Sequence, residues 1–209
     1  MLADFTIKEF LDKVSGNEPV PGGGSIAALN GAIASALATM VANLTIGKKK
    51  YEDHEELMQH IVEVASEQTN LFVSDIDRDS EAYIKVFGCF KMPKDTDEEK
   101  AARSAAIQEA TKFAALVPME VARKAYELMP IISDVALLGN QNAVTDACVA
   151  MMSARSAVLG ALMNVRINLG SIKDEAFVQK LHHEADELEQ LACEKEKKLL
   201  DAVNQELKS

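Results

Sequence analysis

From Ser25 to Ile46 the chain carries no charged residue, and the run is rich in Ala, Ile, Leu and Val. A helix built from it has no polar face to offer water. It must be covered on nearly every side, by other helices, by a second subunit or by lipid. Its borders are as distinctive as its middle. Pro19 and Pro21 lead into Gly22, Gly23 and Gly24, and Gly47 with Lys48, Lys49 and Lys50 closes the run. A glycine loop feeding a helix leaves bare backbone N–H groups at the positive helix end, suited to a carboxylate, a phosphate or a polarised ring oxygen. The lysines at the other end offer a second anion site. The expectation is a binding site assembled from both ends of one buried helix.

Each part also has a plainer reading. Glycines before a helix often do no more than loosen its entry, and the pattern is neither GxGxxG nor a P-loop with GK[ST]. Lysines just past a helix complement its dipole. By length the run could span a membrane. Against that stand its high Ala content and the amides of Asn30 and Asn43, which would each need a partner in lipid. The centre of a helical bundle, or of a subunit interface, suits such a helix equally well.

A chain of 209 residues with 48% hydrophobic content is long enough for one domain, 1–209, with a sizeable core. A net charge of −11, 5% aromatic content and no Trp argue against nucleic acid as a partner. Cys89, Cys148 and Cys193 are widely spaced, odd in number and form no CxxC, which fits a reduced setting. The opening MLADFTIKEF has charges and no apolar centre, unlike a signal peptide. A cytoplasmic location, away from membranes, follows as an expectation. His54, His60, His182 and His183 form neither HExxH nor a Cys/His cluster, so no metal is expected.

The pattern is helical throughout. A short helix starts at Thr6 and runs to Val14, followed by the apolar helix Ser25–Ile46. A long helix covers about Asp53 to Phe90, with Leu57, Ile61, Val64, Gln68, Leu71 and Ile76 as its inner stripe; Met92-Pro93 ends it. Asp95 or Thr96 caps a helix whose first turn holds Asp97, Glu98 and Glu99. It continues to Leu128 with a kink at Pro118. A separate segment spans Ile131–Leu138, and another Asn142–Leu169, again rich in small apolar residues. The last helix begins at Asp174 and carries Phe177, Leu181, Ala185, Leu188, Ala192, Leu199 and Val203 on one face. The fold class is an all-α, antiparallel helical bundle, dimerising through its apolar helices.

Polar residues that interrupt apolar helices are the candidates for chemistry, because a buried polar group is costly unless paired. Asn43 lies near the end of the first apolar helix. Asp75 and Asp79 share one face of the long helix. Asn142 and Asp146 open the second apolar helix, and Asn164 and Asn168 close it. A carboxylate in an apolar cleft has a raised pKa and can take up and return a proton near neutral pH. Singly, each also reads as a helix-start acid, a solvated face or a core amide.

The segments PVPGGGSIAALNGAIASALATMVANLTIGKKKY, DRDSEAY, MPKDTDEEKAAR, IQEATKFAALVPMEVA, GNQNAVTDACVA and ALMNVRINLGSIKDEAF together resemble the cyclodeaminase/cyclohydrolase family of folate enzymes. The resemblance runs in order over almost the whole chain. It implies an all-helical homodimer acting on a tetrahydrofolate derivative, mono- or polyglutamylated, without a cofactor or a formiminotransferase domain. Two activities come with it, and a non-catalytic, folate-binding helical dimer is the further alternative. A cyclohydrolase converts 5,10-methenyltetrahydrofolate and water to 10-formyltetrahydrofolate; a cyclodeaminase closes the 5-formimidoyl derivative to the same methenyl compound with loss of ammonia. TIGKKKY and KDTDEEKAAR look more like the first, and DEAF with His182-His183 as much like the second. By resemblance the pterin lies near Gly22, Gly23, Gly24, Ser25 and Asn43, and Lys48 and Lys49 meet the glutamate tail. Asp79 and Asp146 are the acid/base candidates, supported by the amides of Asn140 and Asn164. Tyr83 and Thr145 stand where relatives commonly have Phe and Ser.

Overall fold

In the computed structural model, which describes residues 1–208, six α-helices are linked by short turns: α1 (Ile7–Val14), α2 (Gly23–Asn43), α3 (Glu55–Cys89), α4 (Asp97–Leu138), α5 (Val144–Leu169) and α6 (Glu175–Glu206). No strand occurs among the described residues. Three 3₁₀ turns, Leu2–Asp4, Lys49–His54 and Gln141–Ala143, join or precede them.

The helix starts follow local chemistry. Thr6 and Thr96 each close a capping box, with Glu9 and Glu99 reaching back to the capping residue. Asp174 accepts from the Phe177 N–H at 3.1 Å to start α6. α2 begins earlier than its composition suggests. Gly23 and Gly24 lie inside its first turn, Gly22 is the N-cap, and no side chain of its own caps it. It also ends earlier, at Asn43, so Thr45 and Ile46 belong to the following turn. The loop closes with Gly47 at φ +75°, a left-handed position that glycine adopts without steric cost.

Two expectations need correcting. The segments Asp97–Leu128 and Ile131–Leu138 are one 42-residue helix, continuous through Pro118 and Pro130. Proline removes one N–H from the ladder, but packing on both sides of each proline outweighs that loss; Pro118, Met129 and Ile132 are all buried. The inner stripe of α3 is also displaced. Met58, Ile61, Ala65, Phe72 and Ile76 are buried, whereas Leu71 is 42% exposed and Val64 and Gln68 are half-buried. The sequence pattern drew the stripe along Leu71 because the neighbouring Phe72, which fills the space beside Gly31, lies off that line.

α2 and α5 form the centre. They run antiparallel: Gly23 lies against Asn164, and Gly160 against Ala27. Their facing surfaces are small, with Ala27, Ala28, Ala34, Ala38 and Ala42 on α2 and Ala147, Ala150, Ala154, Ala157 and Ala161 on α5. Small side chains let the two backbones approach closely, and the larger α3 and α4 residues fill the remaining core. α6 packs outside, burying Leu181, Ala185, Leu188, Ala192, Leu199 and Val203. It is fastened to α4 by a bidentate pair in which Arg123 donates to Glu184 at 2.5 and 2.7 Å. By length and composition α2 and the segment Gln141–Leu169 could each cross a membrane, and both are core helices of the bundle here.

Candidate active site at the start of α2

The turn before α2, Pro19–Gly22, lies over the point where the first turn of α2 meets the middle of α3 and the end of α5. A cleft of about 360 Å³ opens there, lined by Val20, Gly23, Gly24, Asp79, Tyr83 and Asn164 among others. That is the small end of the range for ligand sites.

Among the described residues, Asp79 is the one carboxylate in its lining. It sits against Gly24 so closely that a Cβ at position 24 would overlap the carboxylate oxygens. Its oxygens lie against the first turn of α2, whose opening N–H groups have no partner within the helix. The Ser25 hydroxyl donates to the Ile76 carbonyl at 2.8 Å, lies 3.2 Å from the Ser80 hydroxyl and 3.5 Å from Asp79 Oδ2. Part of the anion site expected of the glycine turn is therefore taken by the protein's own acid, which sits against the start of α2 from a neighbouring helix.

Burial pushes the Asp79 pKa above the usual carboxylate range. The Ser25 bonds oppose the shift without cancelling it, and the Asp75 charge adds to it slightly. Asp75 itself does not share the cleft. It is buried, paired with Lys124 of α4 and with Arg78, which in turn reaches Glu120 at 2.5 Å. Repulsion between Asp75 and Asp79 is thus secondary to desolvation.

Asn164 faces the cleft from α5, near enough to Gly23 that a Cβ there would lie 3.2 Å from its Nδ2. One of its N–H groups donates to the Gly160 carbonyl at 2.8 Å, which leaves the second N–H and the amide oxygen for a ligand. Asn168, one turn on, donates to the Asn164 and Ala114 carbonyls and steadies this wall. Asn168 carried a signal, its four-residue spacing from Asn164. Val20 and Tyr83 carried no signal in periodicity, since contact with a cleft leaves no trace there.

The other candidates gather at the opposite end. Asn43 and Lys48 and Lys49 are exposed at the end of α2. Asn140 is buried beside them: its N–H donates to Thr45 Oγ1 at 2.8 Å and its side chain to the Leu44 carbonyl at 3.1 Å. Tyr51 accepts from the Gln141 N–H at 3.0 Å. Asp146 is half-buried in the first turn of α5. Eighteen residues of α5 separate it from Asn164, about 27 Å at 1.5 Å per residue. Within one chain the structure therefore brings Gly22, Gly23, Gly24, Ser25, Asp79 and Asn164 together, and does not bring Asn43, Lys48, Lys49, Asn140 or Asp146 to them. A rigid 21-residue helix holds its two ends apart.

No group of three or more His, Cys, Asp or Glu side chains able to hold a metal occurs among the described residues. A glycine-entered helix, a half-buried carboxylate seated against its first turn from the next helix and an amide across the cleft define a small polar site inside an all-helical bundle. Residues 6–187 match the family model described as formiminotransferase-cyclodeaminase, and the chain belongs to that family. It is 42% identical over 180 residues to methenyltetrahydrofolate cyclohydrolase of Methylorubrum extorquens, covering 86% of each chain. It is 32% identical to rat formimidoyltransferase-cyclodeaminase, over 91% of this chain and 35% of that protein. The crystal structure of formiminotetrahydrofolate cyclodeaminase from Thermotoga maritima superposes with a TM-score of 0.85 at 34% identity, covering 97% and 99% of the two chains.

Proposed function

We propose that this chain is a folate one-carbon enzyme that hydrolyses 5,10-methenyltetrahydrofolate to 10-formyltetrahydrofolate. The observation that carries the reading is the half-buried Asp79 carboxylate with its raised pKa, facing a cleft whose opposite wall offers the Asn164 amide. The 42% identity to a cyclohydrolase over most of both chains favours hydrolysis as the direction.

The chemistry needs a base that becomes an acid. Water adds to the cationic carbon bridging N5 and N10, and Asp79 takes its proton. The adduct hydroxyl then loses its proton to solvent as the C=O forms. The C–N5 bond breaks with its electron pair going to N5, and protonated Asp79 returns a proton there. The Asn164 amide holds the adduct oxygen, and the ionised carboxylate stabilises the cation before attack. Neither step changes an oxidation state. A carboxylate with its pKa moved toward neutrality serves both halves better than an ordinary one.

The second reading is ring closure of 5-formimidoyltetrahydrofolate with loss of ammonia, favoured by the likeness to the Thermotoga cyclodeaminase. It uses the same residues with N10 as the nucleophile. The apolar surface that α2 and α5 leave uncovered belongs, in this account, to a homodimer in the cytoplasm, and the lysines at the far end of α2 to the substrate's mono- or polyglutamate tail. One preparation assayed on both folates decides the activity. Faster turnover of the methenyl compound supports the first reading, faster release of ammonia the second, and turnover of neither overturns both.

A further inference from the structure

Beside Asp79 lie two buried hydroxyls that the proposed chemistry does not use. Ser25 of α2 is fully buried, and Ser80 of α3 is 6% exposed. Among the described residues neither lines the cleft. Three acceptors surround the Ser25 oxygen: the Ile76 carbonyl at 2.8 Å, the Ser80 oxygen at 3.2 Å and Asp79 Oδ2 at 3.5 Å. A serine has one proton to donate. The carbonyl, at 2.8 Å, takes it, and the Asp79 contact is too long to compete. The Ser80 proton then goes to the Ser25 oxygen, which has no second proton to offer.

For Ser80 this is an exchange of partners. Ile76 lies four residues before it, so the Ile76 carbonyl is the one that a helical serine at position 80 would itself take. Ser35, Thr69, Thr111 and Ser133 each donate to the carbonyl four residues back in their own helices. Ser80 departs from that habit because Ser25 reaches its acceptor from the neighbouring helix. The two hydroxyls therefore have two arrangements in which both protons are bonded. In one, Ser25 donates to the Ile76 carbonyl and Ser80 donates to Ser25. In the other, Ser80 takes back the Ile76 carbonyl and the Ser25 proton turns to Asp79. The first suits a protonated carboxyl. The second suits an ionised one, which gains a charge-assisted bond.

The charges around Asp79 are otherwise committed. α2 brings none. Asp75 and Arg78 of α3 pair with Lys124 and Glu120 of α4, and Asp77 turns away to accept from the Leu2 and Ala3 N–H groups. Lys112 of α4 is held by Asp174, Arg166 of α5 by Asp186 and Glu189, and Lys85 lies over the Phe113 ring. Of these, Asp75 bears on Asp79 and raises its pKa slightly. The Tyr83 phenol is the other titratable group on the cleft wall.

We infer that Ser80 is a positioning residue for Asp79: it takes over the Ile76 carbonyl from Ser25 and so frees the Ser25 hydroxyl to bond the carboxylate whenever that is ionised. Its value to the reaction rests on the functional reading above, in which Asp79 cycles between the two forms. Without the Ser80 hydroxyl, Ser25 can turn to Asp79 only by giving up its bond to the Ile76 carbonyl with nothing to replace it. The ionised carboxylate is then held less well, and the Asp79 pKa rises further.

A titration that needs no substrate tests this. The full chain is labelled with carbon-13 at its Asp carboxyl groups, and the Asp79 signal, assigned by its loss in Asp79→Asn, is followed against pH by NMR. The parent is compared with Ser80→Ala, Ser25→Ala and the double variant. The inference expects Ser80→Ala to raise the Asp79 pKa by about one pH unit, tenfold in the acid constant. Ser25→Ala raises it at least as far, and adding Ser80→Ala to Ser25→Ala moves it no further, because the link is already broken. Ser80→Thr keeps the hydroxyl and stays near the parent, and Ser80→Cys, whose S–H is a weak donor, shifts in the same direction as Ser80→Ala. The acid limb of kcat/KM on the methenyl compound moves with the titration. An Asp79 pKa equal in the parent and Ser80→Ala overturns the inference. So does an equal rise from Ser80→Ala with and without the Ser25 hydroxyl, which would mark a packing effect. The expected titrations in a chain that turns over neither folate remove the functional reading and leave the hydroxyl exchange standing.

Discussion

Asp79 of α3 occupies the space that a side chain at position 24 of α2 would need, so the glycine and the carboxylate form one unit. Gly24 is there because an acid from the neighbouring helix has to reach the first turn of α2. Gly24→Ala favours helix formation locally, by about 1 kcal/mol in a helix interior, yet drives the carboxylate from its seat. Its kcat should fall by about 10²-fold, the usual contribution of a positioned acid or base, with helix content unchanged by circular dichroism. A Gly24→Ala enzyme with parent kcat would show that the seat is unimportant.

The raised pKa of Asp79 has a consequence for stability. A group whose pKa is higher folded than unfolded stabilises the fold below its unfolded pKa, near 3.9 for Asp, and that contribution is lost as pH rises through the folded pKa. At neutral pH the ionised, partly desolvated carboxylate therefore weakens the fold. Asp79→Asn keeps the shape and stays neutral. Calorimetry should find its Tm above that of the parent near pH 7, with the difference shrinking toward about pH 4. A constant difference across that range would mean that the gain comes from something other than this ionisation.

Asp75 has the opposite character. It ties α3 to α4 through Lys124 and Arg78, away from the cleft. Asp75→Asn leaves the largely buried Lys124 ammonium without its counter-charge and should cost about 3 kcal/mol in urea unfolding. Turnover of the folded fraction should change little. A tenfold loss of kcat in well-folded protein would return Asp75 to the chemistry.

Lys48 and Lys49 are exposed, flexible point charges, suited to affinity rather than bond making. Replacing both with Ala should raise KM, more for polyglutamylated than for monoglutamylated substrate, with kcat nearly unchanged. Equal KM values for variant and parent on the polyglutamate would remove this role.

The helices were legible because their signals are local. Thr6 with Glu9 and Thr96 with Glu99 mark starts, and the three-to-four spacing from Leu181 to Val203 marks a buried face. The join of two segments through Pro130 was not legible, since the packing that overrides a proline comes from other helices. At the site, the importance of Gly24, Asp79 and Asn164 came from the family resemblance, and their contact could not be read from spacing. Asp79, one of several acids in the middle of α3, and Asp146, the acid that opens α5, ranked equally in sequence. Only the antiparallel course of α2 and α5 places one at each end of the bundle.

The central claim is that Asp79 moves the proton in the attack on the N5–N10 bridge. Decay of the methenyl-bridge absorbance, followed for the parent, Asp79→Asn and Asp146→Asn with circular dichroism alongside, tests it most directly. The account predicts a loss of about 10²-fold or more in kcat for folded Asp79→Asn. For Asp146→Asn, whose carboxylate opens α5 eighteen residues from Asn164, it predicts the smaller loss. A folded Asp79→Asn enzyme that bleaches the methenyl band at the parent rate would contradict it.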